Sequence, residues 1–196
     1  MDSAVTIGLL VNYTHGYYRG VLSGIRAYAD ANPRWQFMPL KEVGGHLKWR
    51  SSFRPAGIIA SVNTPALVRA LARWRRPLVN VSSVLPDLGF PRVAADGAQI
   101  SRLVARHLRE RGLKHFAFVG HPRHVYSCER EQAFRAALRD VGAEVSCFNS
   151  RADQPFEEHG HIGYLDRRAE KWLLNLPKPV GIMAANDRFG VELTEV

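Results

Sequence analysis

The chain has 196 residues, 46% of them hydrophobic and 23% charged, an ordinary globular balance with length for one large core or two small ones. With 27 Lys and Arg against 18 Asp and Glu, the formal net charge is +9. No apolar run approaches the roughly 18 residues of a bilayer span. The two cysteines, Cys128 and Cys147, exclude a disulfide framework and fit a reducing cytoplasm.

The positive charge invites a nucleic-acid reading, which its placement weakens. Arg69, Arg73, Arg75 and Arg76 fall on one expected helix and Arg102, Arg106, Arg109 and Arg111 on another. Neither run is interleaved with aromatic residues for base stacking, so both read as solvated helix faces.

In chain order, residues 5–12 are nearly continuously apolar, the pattern of a parallel strand buried on both faces. They follow Met1 so closely that the start lacks the cationic head and cleavage site of a secretory leader. The loop at residues 13–16 leads into a helix over residues 17–31, with Tyr18, Val21, Leu22, Ile25 and Tyr28 at helical spacing and Asn32-Pro33 ending it. Residues 35–40 are a second strand. Residues 41–54 are basic and poorly periodic, with room for a short helix from His46 to Trp49. A third strand (57–61), a helix (65–75) with Leu67, Leu71 and Trp74 inward, a fourth strand (78–81) and a fifth (92–95) follow. Alternating strands and helices joined by short Gly, Pro and Asn turns predict a doubly wound parallel sheet.

Asp96-Gly97 turns the fifth strand into a helix whose Ile100, Leu103, Val104 and Leu108 form one apolar stripe, and Gly112 closes it as a C-cap glycine. The alternation then resumes with a strand (115–120) and a helix (129–141) carrying Phe134, Ala137, Leu138 and Val141. A strand (144–148), a polar loop to Gly163, a helix (166–176) with Ala169, Trp172, Leu173 and Leu176 inward, a strand (181–185) and a last helix complete the chain. The expected division is an N-terminal α/β lobe over residues 1–112 and an incomplete second lobe over 113–196.

The common catalytic signatures are missing: no G-x-G-x-x-G, G-x-x-x-x-G-K-[ST], G-x-S-x-G or H-E-x-x-H. His121, His124 and Cys128 lack a fourth metal ligand and the usual tight pairing, so they read as a polar loop after a strand. Glu157, Glu158, His159 and His161 read as a surface turn. Cys128 beside Arg130 could have a lowered thiol pKa, yet no His–Asp arrangement makes it a nucleophile. No cofactor or metal is implied.

What remains is a set of polar residues at strand carboxyl ends or in the loops just after them. Asn12 and Tyr13 follow the first strand, Tyr17 and Arg19 open the first helix, Asp96 follows the fifth strand, Arg130 the sixth, and Asn186 and Asp187 the last. In an open α/β sheet that edge is where ligands bind. Carboxylates, amides and Arg beside aromatic platforms suit a polyhydroxylated molecule, gripping hydroxyl pairs and covering a sugar's C–H face. Each residue taken singly also reads as a cap or turn former.

Residues 93–96, the helix ending at residues 107–112 and the strand at 115–120 resemble the effector-binding domain of LacI/GalR-type regulators, as do residues 130–138 and 181–187. Residues 16–25 (GYYRGVLSGI) with residues 128–135 (CEREQAFR) are similar to xylose-operon regulators, in which a periplasmic-binding-protein-like sensor precedes an AraC-type DNA-binding domain. That resemblance implies that Asp96, Arg130 and Asn186 line a sugar cleft, with the loop after the first strand contributing from the other lobe. It also implies a type I bilobal fold, a non-enzymatic cytoplasmic homodimer, a pentose effector such as xylose, and DNA contact through a C-terminal domain that these residues do not contain. A transport-type sugar-binding protein and a flavodoxin-like or sugar-modifying enzyme are the rival expectations. The first lacks a leader here, and the second a phosphate-gripping loop or a base–nucleophile pair.

Overall fold

A computed structural model describes residues 4–13, 16–44, 46–48, 54–150 and 165–195. By its contacts the chain divides into two compact units, Met1–Ala94 and Ala95–Val196.

The first unit runs β1 (Val5–Leu10), α1 (Gly16–Ala31), β2 (Trp35–Pro39), β3 (Lys41–Val43), β4 (His46–Lys48), β5 (Gly57–Ala60), α2 (Pro65–Leu71) and β6 (Leu78–Asn80). Four strands make a parallel sheet in the order β2-β1-β5-β6. Leu10, Ile58, Ala60, Val62, Leu67, Leu71 and Leu78 bury against one another and hold α2 to this sheet. Thr64 caps α2 by accepting from the Leu67 N–H at 3.2 Å, with Pro65 at the first helical position. In α1, Tyr18 is buried, but Tyr28 is 52% exposed and packs edge-on to Trp35 instead of facing inward.

Two expectations change here. Residues 41–43 and 46–48 form an antiparallel pair, with Lys41 opposite Lys48 and Val43 opposite His46, where the sequence left room for a short helix from His46. Its strands are three residues long and carry charge, too short for an alternating pattern to show, and Gly44 supplies the positive φ of the turn. Trp49, at the end of that expected helix, lies outside the described residues. The fifth strand shrinks to a single bridge, Arg92 to Asn80. Val93 is 64% exposed.

The second unit runs α3 (Gly97–Glu110), β7 (His115–Gly120), α4 (Val125–Arg139), β8 (Val145–Asn149), α5 (Arg167–Asn175), β9 (Val180–Ala184) and α6 (Asp187–Glu195). Its sheet is parallel in the order β8-β7-β9. Phe118, Val119, Phe134, Leu138, Ala169 and Phe189 are wholly buried in its core. Gly112 and Gly142 end α3 and α4 with positive φ, the conformation that glycine adopts without strain.

The sequence groups α3 with residues 1–112, but its packing puts it in the second unit. Ile100, Val104 and Leu108 join the core of Phe118 and Phe134, and the buried Ser101 hydroxyl donates to the Arg130 carbonyl on α4 at 2.9 Å. The helix turns slightly from the expected stripe: Ser101 and Ala105 are buried, while Leu103 stays 47% exposed. Val141 likewise lies beyond α4 and is exposed. Arg69, Arg73, Arg75 and Arg76 and, on α3, Arg102, Arg106 and Arg109 face solvent.

Candidate functional site

Because β7 and β9 are parallel neighbours, their carboxyl ends share one sheet edge, and α4 and α6 start from it. Asn186 links β9 to α6. Its Oδ1 accepts from the Phe189 N–H at 3.1 Å, capping the helix, and its Nδ2 donates to the Tyr126 hydroxyl at 2.8 Å. Asp187 is the exposed first residue of α6, where the helix dipole favours an acid.

Arg130 lies on α4, which begins at Val125, four residues before the expected start. Tyr126 is one turn back on the same helix, and the Arg130 guanidinium carbon stands 5.4 Å from its ring centroid. Nη1 of Arg130 donates to the Ala185 carbonyl, the residue next to Asn186. Its Nε is buried without a hydrogen-bond partner. A desolvated N–H of a charged group left unpaired is costly. The arginine's stem passes close to the first turn of α3: a Cβ on Gly97 would come within 3.3 Å of Arg130 Cγ. Asp96 sits just before that glycine, exposed, with Oδ1 accepting from the Gln99 N–H at 2.8 Å as the cap of α3. Asp96, Arg130 and Asn186 thus belong to one unit: Tyr126 touches the last two, and Arg130 packs beside Gly97, the residue after Asp96.

Two buried histidines back this cluster. His121 and His124 stack with ring centroids 3.8 Å apart, and His124 Nδ1 stands 3.4 Å from the Tyr126 hydroxyl. His121 Nδ1 accepts from the Arg123 backbone N–H, and the His121 backbone N–H donates to Ser127 Oγ. Burial, then the Arg123 charge, lowers the His121 pKa; burial, then His121, lowers that of His124 to about 4. Both rings are therefore neutral near pH 7. Ser127 fits because β7 ends in Gly120, where any Cβ would run into the Ser127 hydroxyl and Phe118.

Among the described residues no group of three or more His, Cys, Asp or Glu could hold a metal ion. Glu157, Glu158, His159 and His161 lie outside them. Cys128 reverses its expectation: burial and the charges of Glu131 and Glu129 push its thiol pKa up, outweighing a backbone hydrogen bond. Burial also pushes Cys147 up to about 12, against the opposing pull of Arg135.

In the first unit, Asn12 is half-buried after β1, Tyr13 is 71% exposed, Tyr17 packs edge-on to Tyr18 at 5.1 Å, and Arg19 lies exposed on α1. A second set of polar residues, missed from the sequence, is tightly built. Ser61, Asn63, Asn80 and Ser82 are all buried just after or at the ends of β5 and β6. Asn80 Oδ1 accepts from the N–H groups of Val62 at 3.1 Å and Ser82 at 2.9 Å. Ser61 Oγ and Asn63 Oδ1 are buried without partners. The available signal was a Ser-x-Asn directly after an apolar strand, at the ligand edge of a parallel sheet.

Parallel sheets of alternating strand and helix, with polar side chains gathered at the strand carboxyl ends, make this a periplasmic-binding-protein-like α/β fold. Residues 105–196 match the family described as a periplasmic binding protein-like domain. The similarity to xylose-operon regulators extends over nearly the whole chain. It is 26% identical over 200 residues to the xylose operon regulatory protein of Escherichia coli (strain K12), covering 97% of this chain and 50% of that protein. The solved structure of a xylose-binding transcription activator matches with a TM-score of 0.77 at 24% identity, over 99% of this chain and 50% of that one. A periplasmic binding protein/LacI transcriptional regulator from Alkaliphilus metalliredigens, complexed with D-xylulofuranose, matches with a TM-score of 0.67 at 19% identity, over 98% and 71%. The chain spans about half the length of the curated relatives it matches. No described helix is long and apolar enough to cross a membrane.

Proposed function

We propose that this chain is the effector-sensing part of a sugar-responsive transcriptional regulator that binds a pentose, D-xylose before others. The observation that carries the reading is Arg130, held by Ala185 and by Tyr126, the same tyrosine that bonds Asn186, with its buried Nε unpaired. A guanidinium so placed suits neighbouring hydroxyl oxygens. Asp96 supplies a carboxylate acceptor, Asn186 an amide with a donor and a lone pair to spare after its two bonds, and Asp187 a second acid. Asn12, Tyr13, Tyr17 and Arg19 of the first unit are further sugar contacts in this reading, the tyrosines as platforms for C–H faces. Sensing is non-enzymatic and cytoplasmic, in a homodimer that reaches DNA through a further domain. The relatives' names, a xylose operon regulatory protein and a xylose-binding transcription activator, support this choice of effector and role. Titration calorimetry with D-xylose, D-ribose, L-arabinose and D-glucose tests it. Saturable binding with D-xylose tightest is expected, and heat from none of the four would overturn the reading.

A further inference from the structure

Ser101 is wholly buried in the second turn of α3, and Ala105, four residues on, is buried on the same face without a polar atom. A face that only had to pack would be served as well by a second alanine. Burying a hydroxyl costs free energy unless it finds acceptors, and Ser101 finds two. Its Oγ stands 2.8 Å from the Gly97 carbonyl oxygen and 2.9 Å from the Arg130 carbonyl oxygen. The first is the ordinary bond of a serine to its own helix, one turn back. The second crosses to α4, where the carbonyl has a further lone pair beside the one its own helix uses. Both acceptors border the candidate site. Gly97 follows Asp96, which caps α3, and a Cβ on Gly97 would come within 3.3 Å of Arg130 Cγ and 3.9 Å of its Nε. The arginine's stem therefore runs against the turn that Asp96 caps, while its guanidinium donates to the Ala185 carbonyl. Arg130 is held at its backbone by α3 and at its guanidinium by the end of β9.

We propose that Ser101 is a positioning residue of the sugar site: its hydroxyl ties the start of α3 to α4 at Arg130, and so sets the arginine against the Asp96-Gly97 turn. This rests on the sugar-binding reading above, and it deepens that reading by naming what fixes the spacing of a carboxylate and a guanidinium. The two groups start from different helices, so a small slip of α3 along α4 would change their separation. Directional bonds to a ligand tolerate little such error, and a tie made before the ligand arrives removes it. Gly97 is the steric half of the same device, since only a hydrogen there leaves the arginine's stem its present room.

The test has one arm that needs no sugar. The Arg130 Nε–H is buried, so at mildly acid pH its nitrogen-15 NMR resonance should stand apart from those of exposed arginines and exchange slowly with solvent. Ser101→Ala should move it toward the exposed group and speed its exchange several-fold, and Gly97→Ala, which crowds the stem without removing a bond, should displace it too. Leu108, two turns farther along α3, packs into the core near Gly181 and serves as the control. Leu108→Ala should lower the melting temperature more than Ser101→Ala does, yet leave the Arg130 resonance in place. A resonance unmoved in Ser101→Ala, or moved as far in Leu108→Ala, would overturn the proposal whatever the protein binds. The second arm titrates D-xylose. Ser101→Ala should bind about fivefold more weakly, the order expected for one lost neutral hydrogen bond, with Leu108→Ala binding as wild type does. Equal affinity of wild type and Ser101→Ala also overturns it. Absence of sugar binding in wild type, with the NMR pattern as expected, sinks the sugar reading and leaves the tie between Ser101 and Arg130 established.

Discussion

The Arg130 guanidinium, on α4, donates to the carbonyl oxygen of Ala185, at the end of β9. That bond ties a cation to the backbone step just before Asn186 and leaves the arginine's Nε buried and unpaired. Arg130→Lys removes the planar fork, and a lysine cannot both reach Ala185 and lie flat on Tyr126. D-xylose affinity should fall by about 1.5–3 kcal/mol, the range for a hydrogen bond to a charged group. Calorimetry that found affinity unchanged would take Arg130 out of the site.

Asp96 carries two roles that a pair of substitutions can separate. Its Oδ1 caps α3 through the Gln99 N–H. Asparagine caps a helix about as well as aspartate, whereas alanine costs about 1 kcal/mol. Asp96→Asn should therefore keep its melting temperature while losing sugar affinity, and Asp96→Ala should lose both. An Asp96→Asn protein with wild-type affinity would make this residue a cap alone.

The alternation of strands and helices was legible because each element carries its own period: continuous apolar runs for β1, β5, β7 and β9, and stripes such as Phe134 and Leu138 on α4. The polar ends of those elements were legible as candidates because in a parallel sheet they all fall on one edge. Several features escaped. The β3–β4 pair is too short to show alternation. The first turn of α4 was read as loop because Val125 to Cys128 adds nothing to the apolar stripe and His124 makes no side-chain cap bond, so the helix was started at residue 129 and Tyr126 passed over. An aromatic four residues before an arginine was the signal, and it becomes one only once the helix is extended backward. Finally, α3 changed units because its stripe says that one face is buried, not which sheet covers it.

His124 gives stability a pH dependence of known sign. Its pKa is lowered from 6.5 to about 4 by burial first and His121 second. The unfolded chain therefore takes up the proton more readily than the folded one. From this group, stability is full above about pH 6.5, falls as pH drops through the interval toward about 4, and levels off below it, a loss on the order of 2–3 kcal/mol. His121, lowered in the same direction, adds to the slope. Urea unfolding between about pH 7.5 and 4.5 should show the decline, and His124→Gln should flatten it; an equal slope in that variant would place its origin elsewhere.

Asn80 is the joint of the first unit's strand ends. Its Oδ1 receives the N–H groups of Val62 and Ser82, and its backbone pairs with Pro91 and Val93, so the chain around it is tied on both sides. The residue is 3% exposed, and no water stands ready to replace a lost acceptor. Asn80→Ala would strand two buried N–H donors, at about 1–3 kcal/mol each, and open a small void beside Val62 and Leu78. Asn80→Asp keeps the acceptor but buries a charge, which two N–H groups offset only in part. Both variants should destabilise the protein, Asn80→Ala by roughly 2–5 kcal/mol. The two units have separate cores, so the loss should be local: amide exchange should speed up in β5 and β6 while Phe118 and Val119 of β7 keep their protection. A variant whose exchange rises equally in β6 and β7 would show that the units unfold as one, and that Asn80 supports more than its own sheet.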